Sequence, residues 1–73
     1  MEKLNWERKP QNIWEAVDGD ISWVIFKISN RKCYIQIKEN GKLRSVGWDY
    51  YLEAAKREVE YLRTLRISKF SLS

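Results

Sequence analysis

The chain has 73 residues, 33% of them charged, and a formal charge of +4. That length allows one domain with one modest core, while a lone Cys33 and the lack of histidine exclude an intrachain disulfide and a histidine-bearing metal staple. The longest apolar run, Trp23 to Phe26, falls far short of the ~20 residues of a membrane helix. A free cysteine, and an amino terminus without a basic, apolar and cleavable leader pattern, lead us to expect a cytoplasmic, intracellular protein.

In chain order, residues 1–12 show no clean period and read as an arm. Residues 13–67 read as a single sheet-plus-helix domain, and residues 68–73 as a frayed, flexible tail. Ile13 to Val17 is a first strand, closed by the turn residues Asp18-Gly19-Asp20. Ile21 to Ile28 is the second strand, and Lys32 to Lys38 the third, reached through Asn30-Arg31. Asn40-Gly41 is a type I′ hairpin signal leading into Lys42 to Gly47. Asp49 is an N-cap candidate for a helix from Tyr50 to about Arg66, with Leu52, Ala55, Val59 and Leu62 at helical spacing and Tyr51, Tyr61 and Leu65 widening the contact. The fold class expected is α+β, a three- to four-stranded antiparallel β-meander packed on one C-terminal helix.

Two-residue loops at both later hairpins fix a register, and register decides which side chains share a face. Val24, Phe26, Ile28, Cys33, Ile35, Ile37, Val46 and Trp48 then form an apolar side for the helix, with Arg44 at its rim. Trp23, Ile25, Lys27, Tyr34, Gln36, Lys38, Leu43 and Ser45 form the other side, where Trp23 lies opposite Lys38, Tyr34 opposite Lys27 and Gln36 opposite Ile25. The first strand admits two registers that put Trp14 on opposite faces, and the arm offers Leu4 and Trp6 as a cover for the second face.

Charge is concentrated in the middle strands. Lys27 to Trp48 holds six cations and one anion, a local balance of +5, whereas Ile13 to Phe26 carries three acids. Basic residues interleaved with aromatics suit nucleic acid, the cations on phosphates, the rings on bases and an amide on a base edge. The site expected is Trp23, Lys27, Tyr34, Gln36, Lys38, Lys42 and Arg44, with DNA as partner. The same face suits a small protein-binding module or inhibitor of the kind phages and mobile elements encode, with Trp23 and Tyr34 as anchors. Ordinary strand composition is the plain alternative. No catalytic residues, metal, cofactor or small-molecule substrate are expected. Cys33 has no histidine to activate it, and Asp18 and Asp20 beside a turn glycine are turn chemistry.

The run Cys-Tyr-Ile-Gln-Ile-Lys-Glu-Asn-Gly-Lys-Leu-Arg-Ser-Val-Gly-Trp-Asp-Tyr-Tyr-Leu-Glu-Ala-Ala-Lys-Arg-Glu-Val-Glu-Tyr-Leu, Cys33 to Leu62, resembles the ethylene-response-factor type of DNA-binding domain and the arm-binding domains of phage integrases. Tyr34, Gly41, Val46-Gly47-Trp48 and Glu53-Ala54-Ala55 fill the places of that layout. The resemblance implies a three-stranded sheet set in the major groove with the helix behind it. Contacts would come from Tyr34, Gln36 and Lys38, and from Leu43 and Ser45, where the family usually has an arginine and a tryptophan.

Overall fold

A computed structural model describes residues 3–71, with the side chains of residues 3–65. Its elements are β1 Glu7–Lys9, β2 Ile13–Asp18, β3 Ile21–Ser29, β4 Lys32–Glu39, β5 Lys42–Asp49 and α1 Leu52–Ser71. The strands lie side by side in sequence order, each antiparallel to the next, and the helix follows them, so the chain is an α+β meander. The sheet has five strands, more than the three or four expected, because Glu7–Lys9 of the arm pairs with β2. Met1 and Glu2 lie outside the described residues.

Turn chemistry explains the hairpins. Asn40 and Gly41 take φ of +53° and +78° between the paired Glu39 and Lys42, the two positive values a type I′ turn requires. Asp18 pairs with Ile21 around Gly19-Asp20, where only the glycine has positive φ, as in a type II′ turn. At Asn30-Arg31 neither residue is left-handed. Such a loop does not match the twist of its strands, and the register shifts by one residue there: Lys27 pairs with Cys33 and Ser29 with Lys32, leaving Ile28 as an extra residue. A second bulge lies in β5, where Ile35 pairs with Gly47 and Gln36 with Ser45, leaving Val46 over.

These bulges overturn the expected faces. Ile25 lies opposite Ile35 and Trp23 opposite Ile37, while Phe26 meets Tyr34, Val24 meets Gln36 and Ser22 meets Lys38. The side chains of β3 from Ile21 to Lys27 have therefore exchanged faces with respect to the bulge-free register. Trp48 also changes sides, pairing with Tyr34 in place of Cys33. The core is Ile21, Trp23, Ile25, Cys33, Ile35 and Ile37 from the sheet against Ala55 and Val59 from α1, with Val46, Leu52 and Leu62 beside them. Burying a side chain such as Val59 contributes about 1.5 to 3 kcal/mol. Trp14, opposite Ile25, belongs to this helix side, and Leu4 and Trp6 join the same core, so the arm does not cover the other face.

The helix stripe of Leu52, Ala55, Val59 and Leu62 is as expected, but Tyr51, Tyr61 and Leu65 are exposed and do not widen it. The Ala55 N–H donates to the Tyr51 carbonyl at 2.8 Å, so Tyr51 holds the cap position. Asp49 ends β5 instead, its Oδ1 accepting the Tyr50 N–H at 2.7 Å. At the other end α1 continues through Ser71, which makes residues 68–71 of the expected tail helical; Leu72 and Ser73 lie outside the described residues. No helix among the described residues is long and apolar enough to cross a membrane.

Candidate functional site

With α1 and the arm on one side, the sheet leaves its other side open. Cross-strand pairing sorts that face into rows. Lys9, Ile13, Phe26, Tyr34 and Trp48 form a continuous line across all five strands. Beside it run Glu7, Glu15, Val24, Gln36 and Ser45, and beyond them Val17, Ser22, Lys38 and Leu43. Lys32, opposite Ser29, shares the face and holds its Nζ 5.1 Å from the ring centroids of both Tyr34 and Trp48. Trp48 in turn meets Tyr50 edge to face at 5.1 Å and 82°. Cation–π contacts of this kind contribute about 0.5 to 1 kcal/mol at exposed sites, enough to orient the rings without hiding them. Trp48 keeps 49% of its surface exposed and Tyr50 58%.

The face is electrostatically divided. Its acids, Glu7 and Glu15, both stand on β1 and β2, and Lys9 on β1 is engaged by Glu7 at 3.0 Å. Hydrogen bonding to Glu7, with that carboxylate's charge, raises the Lys9 pKa above its ordinary value. On β3 to β5 the same face carries Lys32 and Lys38 and, among the described residues, no acid. Gln36 Oε1 lies buried there without a hydrogen-bond partner.

Of the residues singled out from sequence, Tyr34, Gln36 and Lys38 come together on this open face. Trp23 does not: it is 1% exposed in the core, its indole Nε1 donating to Asp18 Oδ2 at 2.9 Å. Lys27 lies opposite Cys33 on the helix side, and Arg44 opposite Ile37 and Lys42 opposite Glu39 share that side along β5. The residues overlooked are Trp48, Lys32, Phe26 and Tyr50. A signal for Trp48 and Tyr50 was present in the crowded run Trp48-Asp49-Tyr50-Tyr51, since a chain alternating faces cannot bury three neighbouring aromatics against one helix.

A second polar cluster lies on the helix side. Arg63, 7% exposed, donates from Nε to Asp18 Oδ2 at 3.0 Å, from Nη2 to Asp18 Oδ1 at 3.4 Å and from Nη1 to Glu60 Oε2 at 3.0 Å. Burial pulls its pKa down, but the hydrogen bonds to Asp18 and Glu60 outweigh that and raise it, so the guanidinium stays charged. The cluster ties α1 to the β2–β3 turn. Burial likewise pushes the Cys33 thiol up, away from reactive thiolate character. No group of three or more metal-binding side chains occurs among the described residues. No protein-family model, curated protein or solved structure matches the chain.

Proposed function

We propose that the chain is a nucleic-acid-binding domain that lays a single strand across the β3 to β5 half of its open face. The observation that carries this is Lys32 set against the rings of Tyr34 and Trp48, with Tyr50 against Trp48, on the half of the face without acids, where Trp48 and Tyr50 are exposed and Tyr34 is half-buried. Bases stack on such rings for about 1 to 3 kcal/mol each, while Lys32 and Lys38 meet phosphates. Width argues against groove insertion of the whole face: four strand spacings of about 4.8 Å span about 19 Å, against a major groove of about 12 Å. Glu7 and Glu15 would repel phosphates on the far half, which directs the strand to β4 and β5. The resemblance of Cys33 to Leu62 to sheet-based DNA-binding domains supports the same surface.

Titration of labelled single-stranded and duplex oligonucleotides over a salt series tests the reading. Single strands should bind more tightly than duplex, and affinity should fall steeply as salt rises. Trp48→Ala and Lys38→Glu should each weaken binding about tenfold or more, whereas Lys27→Glu, on the helix side, should weaken it far less. Absence of binding at low salt refutes the proposal, and the exposed Trp48 and Tyr50 then fall to the alternative, an anchor for a protein partner.

A further inference from the structure

The outer edge of β5 matches a second copy of itself. Sheet edges invite strand addition, and proteins blunt them by keeping them short or bulged. β1, at one end of the sheet, has three residues, while β5, at the other, has eight, and no strand among the described residues pairs with its outer side. Its bulge is where blunting would be expected, yet the bulge gives the strand a property that a regular strand of this sequence lacks. Set antiparallel about a two-fold axis between Ser45 and Val46, two copies of β5 pair Lys42 with Asp49, Leu43 with Trp48, Arg44 with Gly47 and Ser45 with Val46. The members of each pair are an odd number of residues apart, so in a regular strand they would point to opposite faces. The extra residue Val46 cancels that mismatch for the three outer pairs. Lys42, Arg44, Gly47 and Asp49 all share the helix side, and Leu43 and Trp48 the open side.

We propose that the chain forms a symmetric dimer by β5–β5 pairing in this register, independently of what the open face binds. Opposite charges then meet twice, at Lys42 with the other copy's Asp49, and the exposed Leu43 and Trp48 stand side by side twice on the open side. At the axis the two bulges face each other, Ser45 toward the open side and Val46 toward the core, and the matched pairs lie on either side of them. An axis perpendicular to the sheet keeps both open faces on one side, and the two aromatic clusters become parts of one ten-stranded surface. A strand from an unrelated protein would have no reason to supply this charge and face pattern, which argues for a second copy.

Sedimentation equilibrium of the full chain from micromolar to millimolar concentration tests the proposal. The parent should show a monomer–dimer equilibrium. Lys42→Glu and Asp49→Lys, each alone, place two like-charge pairs in the symmetric interface and should weaken dimerisation about tenfold or more. Mixing the two variants should restore association, because a heterodimer pairs Glu with Lys at one site and Asp with Lys at the other. Leu43→Glu should also weaken the dimer while the melting temperature is held, so the test does not depend on Asp49, whose carboxylate also accepts the Tyr50 N–H. A parent that stays monomeric to millimolar concentration, dimers indifferent to both charge reversals, or a variant mixture that remains monomeric would each overturn it.

Discussion

Replacing Asp18 by alanine should be among the most damaging single changes in this chain. Among the described residues the carboxylate takes three hydrogen bonds, one from the Trp23 indole and two from Arg63. Without it the indole N–H is buried with no acceptor, at a cost of about 1 to 3 kcal/mol. Breaking a buried ion pair from one side costs about 3 to 5 kcal/mol, but the lower end applies here. Glu60 stays within 3.0 Å of Arg63, and the Asp18 side chain is itself 27% exposed. The two effects share one carboxylate and are not fully additive, so the loss should be about 3 to 4 kcal/mol. A chain of this length has about 4 to 11 kcal/mol in all, so Asp18→Ala should remove a large part of it. Urea unfolding followed by tryptophan fluorescence and circular dichroism measures the difference. Glu60→Ala is the comparison, since its carboxylate is 41% exposed and spaced three residues from Arg63, and should cost under about 1 kcal/mol. If Asp18→Ala costs no more than Glu60→Ala, the cluster is not what ties the helix to the first hairpin.

Exchanging Asn40-Gly41 for Ala-Ala should lower stability by about 2 kcal/mol, because both positions are left-handed and alanine resists that conformation; an unchanged melting temperature would contradict it. Trp23→Ala should cost about 3 to 5 kcal/mol as a core truncation, and Trp48→Ala no more than about 1 kcal/mol as a loss from an exposed site; denaturant midpoints in the reverse order would return Trp23 to the open face. Cys33 gives a pH dependence. Burial raises its pKa in the folded chain, so its contribution to stability is complete at neutral pH and is lost as pH rises through the ordinary thiol range toward the raised value. Stability should decline less steeply from neutral to alkaline pH in Cys33→Ala than in the parent, and equal slopes would argue against a buried thiol.

Much of the fold was legible because some residues admit one conformation only. Asn40-Gly41 demands its turn, and Leu52, Ala55, Val59 and Leu62 recur with the period of a helix. The meander followed from short runs broken by turn residues. What misled was β3, whose run from Ile21 to Ile28 is apolar in both phases: Ile21, Trp23 and Ile25 compete with Val24, Phe26 and Ile28 for the core. Alternation therefore left the phase to the neighbouring loop, and Asn30-Arg31 turns without positive φ and at the expense of a bulge. The site inherited that error. Tyr34, Gln36 and Lys38 keep their expected face because β4 alternates cleanly, Trp23 leaves it because β3 slips, and Trp48 lies beyond the second slip. The Asp18–Arg63 pair spans 45 positions, and nothing local in either segment announces the other.

The bulges at Ile28 and Val46 bear on how this chain can change length over generations. A deletion inside β4 would turn every side chain beyond it over, sending core residues into water, and selection would remove it. Loss of Val46 alone would leave all other side chains of β5 on their present faces, and a two-fold pairing now centred on Ser45 would still set Lys42 against Asp49 and Leu43 against Trp48. Among descendants of a common ancestor, gaps should therefore gather at this position, where core and outer edge both tolerate them, and be missing from β4.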